Sequence, residues 1–491
     1  MKSVSLFDIT LPGHVVVSPP TGRKRITIGR CYRNLEQSRG MTAARIDRAK
    51  VKSLLESERK RFVKENPRSK ALFRRAQSVL LAGVPMHWMR RWAGPYPVFA
   101  ERGKGNQVWD VDGHEYLDFC LGDTGSMFGH SPEPVVKAVT DQIKRGITMM
   151  LPTEDSIWVG EELRRRFGLP YWQIAMTATD ANRYSIRLAR EATRRKKILV
   201  VSGCYHGTVD EALVILEKGK VVARRGNLSA PVDPAITTKV VEFNDTEALE
   251  KALRPEDVAV VLAEPAMTNH GIILPDPGYH DVLRELATRY GTLLMLDETH
   301  TLCCGIGGYT REYGLKPDMM TMGKPLAGGV PVAAYGINQH VADLVLDHMA
   351  NDEDESGVGG TLSGNALQVA AMRATLQKVY TEGNFRRMLP LAARFHKGIE
   401  QVIDEASLPW QATRLGIRIE YSFMPRAPRN AAEVDAHQDG ELEQLMHLIA
   451  LNRGILLSPF HNMALVSPYT TRADVDRHTE VFRESVHLLL G

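Results

Sequence analysis

Cysteine is scarce in this 491-residue chain: five residues, Cys31, Cys120, Cys204, Cys303 and Cys304, an odd number spread over the whole length. That usage excludes the disulfide framework of a small secreted domain and leads us to expect a reducing, cytoplasmic setting. Long apolar runs are missing too. No stretch approaches the roughly 20 uninterrupted apolar residues that span a bilayer, so no membrane partner is expected. A charge excess of one sign is absent from the body of the chain. The formal net charge is +4, but residues 1–40 alone carry seven Lys/Arg against two Asp/Glu, and the other 451 residues sum to −1. The basic character belongs to the leader, which removes the electrostatic footprint of a nucleic-acid binder. Pairs of Cys and His at metal-ligand spacing are also lacking. His300, Cys303 and Cys304 cluster with no second pair to complete a zinc site, so no metal is expected. Internal repeats and low-complexity tracts are absent.

The length allows a large core and more than one domain. Residues 1–40 hold a Pro-Pro pair and the cluster Arg23-Lys24-Arg25 without a sustained period, which reads as a disordered extension or a start-site artefact. From Met41 a charged helical pattern follows, with Leu54, Leu55 and Phe62 as its apolar residues. Beyond about residue 100, β-rich runs (198–203, 258–265, 292–298) alternate with helical segments such as 181–197 and 278–291. Such alternation implies an α/β fold whose mostly parallel sheet is covered by helices on both faces. After about 345 come amphipathic helices and shorter strand candidates, the mark of a smaller α+β domain. We therefore expect an N-terminal segment at 41–100 that joins the small domain, a large domain at 101–344, and a C-terminal small domain at 345–491.

In parallel sheets, ligands collect at the carboxyl ends of the strands, and the chemistry-bearing residues sit there. The run TLLMLDETHT delivers Asp297 at a strand end, where a carboxylate is costly unless paired. Twenty-seven residues on, PDMMTMGKPLAGGVP places Lys324 before a Gly-Gly turn. An acid and a lysine so placed suit a structural salt bridge. They equally suit pyridoxal 5′-phosphate (PLP) chemistry, in which the lysine forms a Schiff base and the aspartate binds the protonated pyridine nitrogen. Thr177, Ala178 and Thr179 precede a helix opened by Asp180, either an ordinary N-cap or a phosphate cup. Tyr205 and His206 lie between Gly203 and Gly207, where an aromatic ring can lie flat on a planar cofactor. Glu264 ends another strand, and Thr361 follows a Gly pair before a long helix.

Together these segments resemble the class III (subgroup II, omega-type) aminotransferases, a fold-type I PLP family, over roughly residues 42–490. The likeness extends to GNQVWDVDGHEYLDFCLGD, GHSPEPVVKAV and GILLSPFHNMALVSPYTTRADVD, and it points toward the glutamate-1-semialdehyde aminomutase and β-amino-acid aminotransferase branch. The resemblance implies Lys324 as Schiff-base lysine and Asp297 as pyridine partner. Tyr205 would stack on one ring face and Thr299 on the other. Thr177, Ala178 and Thr179 would hold the phosphate, reached also by Thr361 from the neighbouring subunit of a homodimer with shared active sites. Glu264 and Asn269 would stand near the cofactor. Two departures are plain: Thr-Ala-Thr-Asp replaces the usual Ser-Gly-Thr-Glu, and Thr299-His300 follows Asp297-Glu298 where the family has Val.

The implied activity is an aminotransferase passing an amino group from a small amino donor to a keto acid acceptor. An aminomutase or racemase of the same fold, and a catalytically silent fold-mate, are the alternatives. Candidate substrate contacts are Trp88, Arg90, Arg91 and His300, with Arg414 and Arg418 as further arginines. Trp92 and Tyr96 suit either the pocket wall or the core.

Overall fold

The computed structural model describes residues 46–350, 357–459 and 461–491; the expected extension 1–40 and the start at Met41 lie outside the described residues. The described residues belong to one unit, Ala43–Gly491.

Seven strands form its central sheet: β1 (Tyr171–Ala175), β2 (Lys197–Val201), β3 (Thr238–Val241), β4 (Val258–Ala263), β5 (Leu293–Asp297), β6 (Met319–Met322) and β7 (Ala333–Ile337). Their order is β1-β7-β6-β5-β4-β2-β3. β5 runs parallel to β4 and β6, and β2 parallel to β3 and β4, while β7 is antiparallel to both β6 and β1. Every residue of β4, β5, β6 and β7 is buried. That two-sided burial is why these strands are continuous apolar runs rather than alternating ones. The α/β expectation holds, with one reversed strand in an otherwise parallel sheet.

The expected helix at 181–197 is observed as Ala178–Thr193, with Thr177 as its N-cap. The Asp180 amide donates to Thr177 Oγ1 at 3.2 Å, and the Thr177 amide donates to Asp180 Oδ2 at 3.1 Å. This reciprocal box satisfies two amides that open a helix end.

Three smaller sheets accompany the central one among the described residues, the smallest a hairpin of Val214–Glu217 and Lys220–Ala223. The strands Gln411–Leu415, Arg418–Ser422 and Met463–Leu465 are antiparallel, and Ala100–Lys104, Gln107–Asp110 and Glu115–Asp118 join Ile455–Leu456. Near the N-terminus, helix Arg48–Glu65 buries Val51, Leu55, Glu58 and Phe62, a spacing that marks one helical face. Its charged member is paired, since Arg453 Nη1 lies 3.1 Å from Glu58 Oε1.

Candidate active site

Adjacent strands bring the two principal candidates to one sheet edge. Asp297 is the last residue of β5, opposite Thr321 of β6, and Lys324 stands two residues past the end of β6. Lys324 has φ +54°, a left-handed conformation that costs a non-glycine residue about 1 kcal/mol or more. Backbone strain of this kind persists where the surroundings over-determine the residue, as at a functional site.

Asp297 is 3% exposed. Its Oδ2 accepts from Asn182 Nδ2 at 2.9 Å and faces His206 Nδ1 at 3.0 Å, and its Oδ1 accepts from the Thr299 amide at 3.0 Å. Burial works against the charge, but His206, Thr299 and Asn182 outweigh it and hold the carboxyl down at about 2. Neighbouring acids behave in the opposite way. Burial pushes Glu264 and Glu298 up from the ordinary range. Asp297 is thus kept as an anion, and no Lys or Arg is paired with it among the described residues.

The loop after β2 is pressed onto the helix that Thr177 opens. Gly207 has φ +79°, and a β-carbon there would stand 2.2 Å from Thr179 Oγ1. Glycine therefore permits both the turn and the approach. The Thr208 amide donates to Thr179 Oγ1 at 3.1 Å. Tyr205 is 40% exposed, with the Arg224 guanidinium 5.5 Å from its ring centre.

A cavity of about 1200 Å³ opens over this edge, lined among others by Trp88, Arg91, Trp92, Tyr205, Asn269 and Lys324. Arg90 is not on its wall and lies over the Phe73 ring at 4.6 Å. Tyr96 is buried against Phe62 and Phe73, so of the aromatic cluster only Trp88 and Trp92 reach the cavity. His300 is 6% exposed and lies behind Lys324, with Nε2 2.8 Å from Nζ. Arg418 is fully buried beyond His300, and Thr361 is exposed.

Three contributors were not foreseen. Asp123 accepts from Lys324 Nζ at 2.8 Å. Burial opposes its charge, yet Lys324, His300 and Arg418 keep its carboxyl well below the usual range. Asn182 orients Asp297, and Arg224 backs Tyr205. Asp123 closes the entry segment quoted above and Asn182 is a polar residue on a buried helix face, signals that local reading undervalued.

Several buried polar atoms have no protein partner: Glu264 Oε1, Asn269 Nδ2, Thr299 Oγ1 and His206 Nε2. Buried polar groups are normally satisfied, and Asn269, whose Nδ2 is one of these atoms, lines the cavity, which suits a polar ligand. An amine on the cavity wall, a neighbouring anion without a Lys or Arg partner, and an open aromatic ring fit a planar, cationic, aldehyde-bearing cofactor. Among the described residues no group of three or more His, Cys, Asp or Glu side chains is placed to hold a metal. No helix among them is long and apolar enough to cross a membrane.

A covered α/β sheet with a lysine on the cavity wall and a buried aspartate on the adjacent strand is the architecture of a cofactor-bearing transferase fold. The chain belongs to the class-III aminotransferase family, whose model matches residues 88–486. It is 33% identical over 435 residues to a glutamate-1-semialdehyde 2,1-aminomutase of Sulfurihydrogenibium azorense, covering 86% of this chain and 99% of that protein. A glutamate-1-semialdehyde-aminomutase structure from Pseudomonas aeruginosa is 46% identical with a TM-score of 0.89, covering 91% of this chain and 100% of the other. A variant of that protein has been solved in complex with PMP. An omega-transaminase from Sphaerobacter thermophilus is 28% identical with a TM-score of 0.78, covering 86% and 98% respectively. Family and site agree on PLP as the cofactor.

Proposed function

We propose that the chain is a PLP-dependent aminotransferase that moves an amino group from an amino acid or amine to a keto acid, with Lys324 holding the cofactor. The observation that carries this reading is the cavity-facing lysine beside a buried aspartate kept ionised without a Lys or Arg. When bound, PLP supplies the aldehyde and an electron-withdrawing ring. The remaining work falls to the chain. Asp297 holds a proton on the pyridine nitrogen, and Lys324 takes and returns the substrate's proton. Tyr205 and Thr299 would hold the ring, and Glu264 would stand near its hydroxyl edge. Thr177, Ala178 and Thr179 would hold the phosphate at a helix N-terminus, with Thr361 added from the partner subunit of a homodimer. Arg91 and Trp88 meet the substrate. The positions of Arg90 and His300 do not support that role for them.

A second reading, an aminomutase that returns nitrogen to the same carbon skeleton, is favoured by the names of the relatives at 33% and 46% identity. The test is to incubate PLP-loaded enzyme with a panel of amino donors, with and without a keto acid. One keto product per aminated acceptor supports the aminotransferase. An isomerised donor formed without acceptor replaces it with the aminomutase. A visible cofactor band that no amine perturbs discards both.

A further inference from the structure

Beyond the lysine, the wall of the cavity continues onto the three-stranded sheet. Thr413 is paired with Glu420 and Gln411 with Ser422 in antiparallel register, and directly opposed residues share a face. All four line the cavity, so this stretch of the face is polar. Its neutral members satisfy one another: Gln411 Nε2 donates to Ser422 Oγ at 2.7 Å, and Thr413 Oγ1 donates to Gln411 Oε1 at 2.9 Å. Glu420 is left out of that exchange. Arg418, two residues earlier and so on the same face, reaches the His300 ring, whose Nε2 is 2.8 Å from Lys324 Nζ. Glu420 follows about 7 Å along the strand from that arginine.

Glu420 is 5% exposed. Its Oε1 faces His461 Nδ1 at 2.9 Å, while its Oε2 is buried without a protein partner. A buried carboxyl oxygen with an open position is costly unless a ligand supplies the donor. Glu443, on helix Gly440–Leu451, and His461 line the same cavity. Burial pushes the Glu443 carboxyl up to about 7, against His461 and together with Glu420 and Asp439. A cation set beside these acids would bring that carboxyl down again. The protein supplies no such cation from Lys or Arg: neither is paired with Glu420 or Glu443 among the described residues. Asp439, a further acid of the wall, is by contrast paired with Arg48.

We propose that Glu420 and Glu443 form an acidic subsite for a second positively charged nitrogen of the substrate, at the far end of an amine or amino acid whose reacting amino group lies at Lys324. A primary ammonium brings three N–H donors and a full charge, which suits the open Oε2 of Glu420 and the Glu443 carboxyl. An apolar chain end of the same length would leave both acids unsatisfied, so the subsite rejects that end as well as selecting the charge. Under the aminotransferase reading, on which this subsite rests, the donors narrow from amines at large to those with a basic tail. Binding of the tail can be measured without turnover, so the two claims fail separately.

The experiment mixes PLP-loaded enzyme with short diamines and with lysine and ornithine, each against the apolar-tailed amine or amino acid of matching length. It records the rate at which the cofactor band bleaches. In the wild type at least one basic-tailed donor should be favoured over its counterpart by about tenfold or more. A preference among the diamines, the amino acids or both identifies the source of the charge, and each supports the subsite. Glu420→Gln keeps the shape, removes the charge and should bring that ratio near one. A fault in folding would slow both members of a pair and leave the ratio standing. A wild-type ratio near one in every pair, or a ratio that survives Glu420→Gln, overturns the proposal. Should that variant not fold, Glu443→Gln should lower the ratio by about threefold, and an unchanged ratio is the overturning result. Where no amine perturbs the band, the aminotransferase reading fails and thermal unfolding at matched ionic strength decides the subsite. There 1,5-diaminopentane should raise the wild-type midpoint by about 2 °C or more above pentylamine, a gap absent from Glu420→Gln. Equal midpoints in the wild type overturn it.

Discussion

Asp297 at the carboxyl edge of the seven-stranded sheet and Arg418 in the three-stranded sheet are both buried charges, at 3% and 0% exposure, held by different means. Asp297 rests on amide donors and an imidazole, with no lysine or arginine. Arg418 meets an anion, a carbonyl and a ring nitrogen of the protein itself: Asp123, Thr268 and His300. The first arrangement keeps a charge available to an outside partner. The second is met within the protein, with Arg418 Nη1 3.0 Å from the His300 ring that lies behind Lys324.

The comparison can be broken by removing its members. Lys324→Ala should abolish turnover, a fall on the order of 10⁴-fold or more, and abolish borohydride-fixed cofactor, both read on purified protein. Wild-type levels of either would detach the lysine from both regions. Asp297→Asn keeps shape and loses charge. We expect kcat to fall about 10²–10³-fold, with fold retained by circular dichroism. If activity persists, the anion of the sheet edge has no outside partner. Arg418→Met leaves Asp123 with Lys324 but strips the donors from the buried Thr268 carbonyl and His300 Nδ1, and should cost about 1–3 kcal/mol in urea unfolding. A cost near zero would mean that the second region does not depend on internal pairing.

A third buried group sharpens the contrast by lacking both devices. His478 is packed among Phe119, Phe395 and Phe482, its Nδ1 has no partner, and burial pulls it down to about 3. The unfolded chain binds this proton near pH 6.5 while the folded chain stays neutral, so stability falls as pH drops from 6.5 toward 3. His478→Phe should remove that slope. Its stability relative to wild type should improve by about 2 kcal/mol between pH 7.5 and pH 5, measured by urea unfolding at both. A constant difference would show that the ring is protonated inside the folded protein.

Much of this was legible locally. The runs at 198–203, 258–265 and 292–298 are β2, β4 and β5 within a residue or two at most ends, because a strand buried on both faces must be continuously apolar. Asp297 and Lys324 were legible for the same reason: a charged residue ending such a run stands out. Thr177 was read as either a cap or a phosphate cup, and the capping box with Asp180 is present. The reversal of β7 was not legible, since strand direction leaves no trace in apolar periodicity. Nor was the separation of Arg90 from Arg91, neighbours in sequence that diverge because one stacks on Phe73.

The sequence by itself determined the α/β alternation, the two strand-end charges and the likeness to a PLP family, since each rests on residues adjacent in the chain or on their order. Only the tertiary structure decided what surrounds those charges. Asp123, His300 and Arg418 meet at Lys324 from segments 201, 24 and 94 residues away. Burial then sets which of them can be charged. Neither proximity nor desolvation is a property of a local stretch of chain: both arise when distant segments pack and exclude water.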